Sequence, residues 1–173
     1  MYNVKRGKWD KIPVSPSNAD YGLSTNKPER WVPFAVALVS LTGKTAGLGF
    51  VMTRLRGYIA IDLDNCLGEP WALEIIDLIG SYTEISPSGK GYRIFMLGEL
   101  AHDWTNHERG IEVYAGNEAR FLTVTGDHVP GTPKDLVAVE SRRLDALAVQ
   151  YAKEKRRPVA LDAEMPEILD VMD

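Results

Sequence analysis

The stretch from Tyr58 to Phe95 decides the fold, and it contains the segments YIAIDLDNC (58–66) and SYTEISPSGKGYRIF (81–95). The first segment predicts an apolar strand that ends in two acids, and the second predicts two short strands around a loop of Ser, Gly and Lys. Pro70 and Gly80 delimit a helix between the two segments. Its apolar residues have the spacing of one buried face: Ala72, Ile75, Ile76 and Ile79. The stretch therefore predicts strands joined by a packing helix.

The composition of the whole chain is that of an ordinary globular protein. The chain has 173 residues, of which 45% are hydrophobic and 25% charged, so one domain with one sizeable core is expected. Its single cysteine, Cys66, excludes a disulfide framework and a cysteine-rich zinc site. The formal net charge of -4 argues against a surface that is basic throughout. With no signal-peptide core and no run of about 18 apolar residues, a cytoplasmic protein without a membrane partner is expected.

The chain divides into three predicted parts. Residues 1–27 have loop composition and are interpreted as an arm or lid. Residues 28–154 form the folded domain, which ends in a packing helix within residues 136–151. Residues 155–173 are mostly acidic and are interpreted as a tail or a linker to a further domain.

Within the folded domain, helical spacing of apolar residues from Trp31 to Gly43 predicts a helix that is buried on one face. Strands at 46–52 and 58–63 follow each other closely, which predicts a hairpin. Strands at 110–114 and 120–126 are predicted to form an antiparallel pair for the same reason. Strands that succeed one another in this way, flanked by helices, indicate an α+β fold with a mixed, largely antiparallel sheet.

Two acids at the end of the first strand carry one candidate site. Residues two apart on a strand project to the same face, so Asp62 and Asp64 lie roughly 7 Å apart, a spacing that suits a pair of metal ions. Glu112 alternates with the apolar Ile111 and Val113 on a later strand, which makes it a candidate third ligand. Mg²⁺ prefers such carboxylate oxygens. From pattern alone, two acids that cap a turn and a solvated glutamate are about equally good interpretations.

The loop at 86–91 carries the second candidate site. Two glycines beside a lysine let backbone N–H groups approach an anion, and the neighbouring serines add hydroxyl donors. The predicted phosphate-binding residues are Ser86, Ser88, Gly89, Lys90 and Gly91. Arg93 lies two residues further on, where strand alternation can direct it to the same face. The loop joins two strands and does not match a Walker motif, so an ordinary hairpin turn is the alternative.

The succession IAIDLDN, SYTEISPSGKGYRIF, GIEVY and RFLTVTG resembles the primase-polymerase domain of the archaeo-eukaryotic primase superfamily, as found in phage and plasmid replication proteins. The resemblance covers most of residues 28–131. It implies an RRM-like catalytic core that performs template-directed transfer of nucleotides from NTPs or dNTPs, with two Mg²⁺ or Mn²⁺ ions. It implies that Asp62, Asp64 and Glu112 are both catalytic residues and metal ligands.

The same resemblance places the serines and lysine of the loop, with Arg93, around the nucleotide triphosphate. Arg120 and Thr125 are expected to line that pocket. At Arg93 the chain departs from the superfamily, which has a histidine there; arginine strengthens a phosphate contact but cannot transfer a proton near neutral pH. The implied partners are single-stranded or primed DNA and a helicase domain or other replication proteins, in a bacterial or archaeal host cell.

Template contacts are predicted at Lys8, Trp9, Arg54 and Arg56, since basic and aromatic side chains suit a single strand. A solvated basic terminus is an equally good interpretation of the first two. Three other functions remain open: a non-catalytic module that binds a nucleotide or single-stranded DNA, a phosphatase of the haloacid dehalogenase type, and a structural α+β adaptor. The phosphatase is disfavoured because its fold alternates strands and helices, whereas here strands follow one another after Gly80.

Overall fold

The computed structural model describes residues 2–3, 8–9, 11–41, 43, 47–53, 57–116 and 120–152. In chain order, the strands are β1 (Tyr2–Asn3), β2 (Lys8–Trp9), β3 (Val14–Ser15), β4 (Asn18–Gly22), β5 (Leu48–Val51), β6 (Tyr58–Leu63), β7 (Tyr82–Ile85), β8 (Tyr92–Leu97), β9 (Trp104–Asn106), β10 (Ile111–Tyr114) and β11 (Phe121–Val124). The helices are α1 (Phe34–Val39), α2 (Pro70–Ile79) and α3 (Ser141–Tyr151), with a 3₁₀ turn at Pro28–Arg30. The predicted α+β class is confirmed.

The central element is an antiparallel sheet of five strands in the order β7-β8-β6-β10-β9. Strand β6 lies in the middle, and five of its six residues are buried. A strand enclosed on both faces needs an almost continuous apolar run, and YIAIDL supplies one with a single charged residue, Asp62. The fold therefore buries that carboxylate in the middle of the sheet.

One face of the sheet is covered by helices. The apolar side of α2 and two residues of α3, Leu144 and Leu147, pack with alternate residues of β6, β8 and β10 in the main core. Gly80 ends α2 in the left-handed conformation, with φ of 63°, which a glycine adopts without steric cost. The boundaries of β6 and α2 match those predicted from the sequence. Helices α2 and α3 do not cover the opposite face of the sheet.

The opposite face is divided into an apolar half and a polar half. A ribbon of β5 and β11 packs on the apolar half, where Met52 and Leu122 meet Ala60, Phe95 and Tyr114. The polar half lies toward the ends of the strands that carry the predicted site. A small second core thus closes one half of the face and leaves the other half to charged side chains.

Both predicted hairpins are wrong. Strand β5 pairs with β11, whereas the two edges of β6 are taken by β8 and β10. Strand β10 likewise pairs with β6 and with β9, a strand that was not predicted, so β11 is not its partner. Closeness along the chain favours hairpins, but packing of the β5–β11 ribbon on the sheet overrides that local preference.

The helix predicted from Trp31 to Gly43 is also corrected. Pro33 has an extended backbone, with ψ of 150°, and the α-helix after it has only six residues. The ring of a proline disfavours helical geometry in the residue before it, which separates Trp31 from the helix. None of the six helical residues is buried, and Val39 is 83% exposed, so the predicted buried face is wrong.

Candidate active site

Four charged residues form a row across the polar half of the sheet. Strand pairing sets Glu84 opposite Arg93, Arg93 opposite Asp62, and Asp62 opposite Glu112. Residues directly opposite each other on antiparallel strands project to the same side of the sheet. The row therefore brings three separate stretches of the sequence onto one surface, facing away from α2 and α3.

Asp62 and Arg93 form a two-point ion pair at the centre of the row. Arg93 Nε donates to Asp62 Oδ1 at 3.0 Å, and Nη2 donates to Oδ2 at 3.1 Å. Arg93 is only 5% exposed and Asp62 only 8%. The remaining guanidinium nitrogen donates to the carbonyl of Thr123 on β11. Arg93 therefore lies on the predicted face, but it contacts the predicted metal ligand directly.

Asp64 follows β6, two residues after Asp62, and is exposed. Its backbone N–H donates to the carbonyl of Gly110 at 2.8 Å, which fixes the turn beside β10. Partial desolvation of the carboxyl raises the pKa of Asp64 above its usual value, and the charges of Asp62 and Glu112 raise it further. Arg93 and Lys11 oppose this shift. The three predicted acids thus repel one another, which is the electrostatic condition that a bound cation relieves.

Glu112 is held by two neighbours. The hydroxyl of Tyr114 donates to Glu112 Oε2, and His107 Nδ1 lies 3.5 Å from Oε1. Burial, followed by this hydrogen bond, raises the pKa of the Tyr114 hydroxyl, so it remains a donor across the physiological range. The guanidinium of Arg120 lies over the Tyr114 ring, 5.3 Å from its centre. The predicted pocket residue Arg120 is therefore linked to Glu112 through one aromatic ring.

Glu84 is a site residue that sequence reasoning missed. It is fully buried, and its carboxylate accepts hydrogen bonds from the N–H groups of Thr125 at 2.9 Å and Gly126 at 3.0 Å. The Tyr82 hydroxyl donates to it as well, at 3.1 Å. Glu84 thus fixes the turn after β11, where the predicted Thr125 also donates its hydroxyl to the carbonyl of Ile85. The sequence signal that could have identified Glu84 is a charged residue within a short predicted strand.

The loop at 86–91 is an ordered hairpin connection between β7 and β8. Ser86 N donates to the carbonyl of Gly91 at 2.9 Å, and Gly89 N donates to that of Ser86 at 2.8 Å. The hydroxyls of Ser86 and Ser88 share a hydrogen bond of 3.0 Å, and Ser88 Oγ also accepts from the N–H of Lys90. The Lys90 side chain is exposed. The loop is thus preformed, with an accessible lysine at its end.

The loop lies directly against the chain that follows Asp62. Leu67 N donates to the carbonyl of Lys90 at 3.0 Å. A Cβ added to Gly91 would stand only 1.9 Å from the carbonyl oxygen of Leu63, so no other residue fits between the two segments without moving the backbone. The acids at the end of β6 and the loop at 86–91, which carries Lys90 and is called the lysine loop below, are therefore adjacent in the fold.

Comparison with known proteins adds an independent finding. No protein-family model matches the chain. A curated protein named DNA Primase-polymerase, from Nitratiruptor phage NrS-1, is 33% identical over 172 residues, which cover 92% of this chain. The chain is a relative of a phage primase-polymerase. The resemblance inferred from the motifs is thereby confirmed. The match covers 23% of the phage protein's length.

The three acids of this chain, a relative of the phage primase-polymerase, are a suitable ligand set for a hard cation. Asp62, Asp64 and Glu112 supply carboxylate oxygens on one surface. Within the described part of the chain, however, no group of three His, Cys, Asp or Glu side chains stands ready to hold a metal ion. Both oxygens of Asp62 accept hydrogen bonds from the guanidinium of Arg93, so this acid is not free to bind a cation in the present arrangement. The three acids have the chemistry that a hard cation prefers, but in their present arrangement they do not form a ready metal site.

The predicted template contacts stay predictions. The backbones of Lys8 and Trp9 form β2, which pairs with β1, but their side chains are outside the described residues. Arg54 and Arg56 also lie outside them, as does the chain from 153 onward. No helix in the described segments is long and apolar enough to cross a membrane.

A cavity of about 840 Å³ lies elsewhere, between the hairpin of β3 and β4 and the helix α1. Its lining contains none of the predicted site residues, and its one charged member is Arg30. A triphosphate with its metal ions needs several charged groups, so the polar half of the sheet is the better candidate.

Proposed function

We propose that this chain is the catalytic domain of a phage or plasmid primase-polymerase, and that it transfers nucleotides from NTPs or dNTPs to a primer strand under the direction of a DNA template. The observation that carries the proposal is the adjacency of the two motifs: the acids at the end of β6 and the lysine loop at 86–91 after β7 meet at one end of the sheet. The name of the phage relative supports the same reaction class.

In the proposed reaction, a primer 3′-hydroxyl loses its proton to solvent and its oxygen forms a bond to the α-phosphorus of the nucleotide. The bond from the α-phosphorus to the oxygen bridging to the β-phosphate breaks, and pyrophosphate leaves. Divalent ions held by Asp62, Asp64 and Glu112 would supply an acidified 3′-hydroxyl and charge neutralisation. Lys90 and Arg93 provide fixed positive charge for the β- and γ-phosphates. Arg93 cannot serve as a general acid, so the protein's own contribution here is binding and orientation.

The neighbours of these residues support them in fixed positions. Tyr114 and His107 orient the carboxylate of Glu112, and Glu84 anchors the turn next to the Thr123 carbonyl that binds Arg93. Side chains held in this way need little reorganisation when substrate binds. We propose NTPs or dNTPs and single-stranded or primed DNA as partners, and a helicase domain or other replication proteins in the host cytoplasm as further ones.

Primer extension tests the proposal. Purified protein is mixed with a labelled primer on a template, dNTPs or NTPs, and Mg²⁺ or Mn²⁺, and product length is followed on a gel. Glu112→Gln keeps the size of the side chain and its contact with Tyr114 but removes the charge, so extension should fall by about 10²-fold or more. Asp127→Asn, on the exposed turn after β11, is the matched control and should extend as the natural protein does.

A non-catalytic module that binds a nucleotide or single-stranded DNA is the second candidate. One observation favours it: Asp62 is already paired with Arg93, and the described residues hold no prearranged group of three metal ligands. The same assay separates the two functions. A protein that binds labelled nucleotide but yields no product with either metal ion would be such a module. The haloacid dehalogenase alternative is not supported, because the central sheet is antiparallel throughout.

A further inference from the structure

The inference concerns how the site admits its ligands, and it rests on the proposed function. Among the predicted metal-binding acids, Asp62 is held by the guanidinium of Arg93 through both of its oxygens. A divalent cation therefore competes with Arg93 for the same oxygens. Electrostatics makes this competition strong, because the pair lies almost wholly out of water, where charges are weakly screened.

Arg93 in turn needs an anion at all times. Arg93 is 5% exposed, and its third guanidinium nitrogen donates to the neutral carbonyl of Thr123. Glu84 stands opposite Arg93 on β7, but both of its carboxylate oxygens accept hydrogen bonds from other groups. Leaving a buried charge without its counterion is strongly unfavourable. A cation that displaced Arg93 from Asp62 without supplying another anion would therefore bind weakly.

A triphosphate supplies that anion. The guanidinium fork matches a phosphate group as well as it matches a carboxylate. The lysine loop at 86–91 leads directly into β8, which carries Arg93, and the carbonyl of Lys90 accepts from the N–H of Leu67 in the chain that follows the acids. Phosphates held at Lys90 would therefore lie at the same end of the sheet as Arg93.

We propose that Arg93 exchanges partners, pairing with Asp62 in the free protein and with a phosphate of the nucleotide in the complex, and that this exchange couples nucleotide binding to cation binding. Each ligand then raises the affinity for the other by the same factor, as thermodynamic reciprocity requires. A coupling of about 5- to 150-fold is the usual range for two linked sites. In the absence of nucleotide, Arg93 acts as an internal counterion that keeps the cation affinity low.

The decisive experiment measures Mn²⁺ binding to the full chain without nucleotide, from the electron paramagnetic resonance signal of free Mn²⁺. Arg93→Gln releases Asp62 from its counterion, and its Mn²⁺ affinity should rise about tenfold. Its affinity for a labelled dNTP, measured separately, should fall by a similar factor. These opposite shifts are the signature of partner exchange, because a merely structural role for Arg93 would lower both affinities.

Lys90→Ala is the control variant. The exposed Lys90 side chain makes no hydrogen bond to Asp62, so the variant should lose dNTP affinity while its Mn²⁺ affinity without nucleotide is unchanged. Arg93→Lys is the second variant, because Arg93→Gln leaves Asp62 unpaired in the core and can unfold. Lysine keeps the charge but loses the two-point contact, so its Mn²⁺ affinity should lie between those of the natural protein and the glutamine variant.

Thermal melting adds a readout that needs no nucleotide. Saturating Mn²⁺ should raise the melting temperature of either Arg93 variant more than that of the natural protein, since the cation restores a counterion to Asp62. Mn²⁺ affinity that is unchanged or lower in both variants overturns the exchange. If the natural protein extends primers while this result is obtained, the proposed function stands and the coupling alone fails. If the natural protein neither extends primers nor binds dNTP, the proposed function fails separately.

Discussion

At the scale of single residues, the ion pair of Asp62 and Arg93 should dominate the stability of the site. Asp62→Ala leaves the buried guanidinium without its anion, so the free energy of unfolding should fall by about 3 to 5 kcal/mol. Asp64→Ala is the matched comparison, since it removes an exposed acid that its neighbours repel. It should change stability by less than about 0.5 kcal/mol or increase it. Urea denaturation of both variants measures the difference, and equal losses would contradict the assigned pair.

Tyr82 gives the site a titration that can be followed directly. Burial, followed by the charge of Glu84, raises the pKa of Tyr82 from its usual 10.0 to about 12. The hydroxyl therefore ionises more easily in the unfolded chain, and stability is lost as the pH rises from 10 towards 12. The absorbance difference between the natural protein and Tyr82→Phe should show one tyrosine that titrates near pH 12. A difference centred at pH 10 would refute the contact with Glu84.

The individual acids of the site were predictable, but their partners were not. Alternation along a strand identified Asp62 and Glu112, because a charged residue between apolar neighbours is visible in the sequence. The ion pair between Asp62 and Arg93 joins positions 31 residues apart and depends on strand register. Glu84 was missed for the same reason, since its hydrogen bonds reach a turn 41 residues away.

At the scale of elements, the loop at 86–91 depends on a close approach of two backbones. Gly91→Ala would place a methyl group 1.9 Å from the Leu63 carbonyl, so stability should fall by at least about 3 kcal/mol. Gly89 has a positive φ of 68° but open space around its Cβ position. Gly89→Ala should therefore cost only about 1 kcal/mol, the penalty for a left-handed residue. Thermal or urea unfolding compares the two, and equal costs would rule out the close approach.

Helices α1 and α2 differ in how much they contribute to the stability of the fold. Ile76→Ala removes a buried side chain from α2 and should cost about 2 to 5 kcal/mol. Val39→Ser on α1 should change stability by no more than about 0.5 kcal/mol, because Val39 is 83% exposed. Helical periodicity predicted a buried face for both segments. A large loss in Val39→Ser would restore the original interpretation of α1.

Strand positions were easier to predict than strand partners. The apolar run of β6 and the Ser/Gly loop before β8 have local signatures, and both lie where they were expected. The pairing of β5 with β11 joins segments about 70 residues apart, and nothing within either segment specifies it. The expectation that strands close in sequence form hairpins was wrong for β5 with β6 and for β10 with β11. In both cases one strand belongs to the ribbon and the other to the central sheet.

At the scale of the whole molecule, the packing helices and the charged residues of the candidate site lie on opposite faces of the central sheet. Helices α2 and α3 cover one face of the sheet, and the charged row occupies the polar half of the other face. The α+β class followed from the order of strands and helices. The division of the second face by the β5–β11 ribbon followed only from the structure, since it requires strand pairing that the sequence pattern does not encode.

The most direct test of the central claim is a crystal of the protein soaked with Mn²⁺ and a dNTP, with the anomalous signal of manganese recorded. A manganese peak is expected among Asp62, Asp64 and Glu112, together with triphosphate density at Lys90 and with Arg93 turned from Asp62 to a phosphate. Manganese and triphosphate bound together at another surface, with the charged row unchanged, would contradict it.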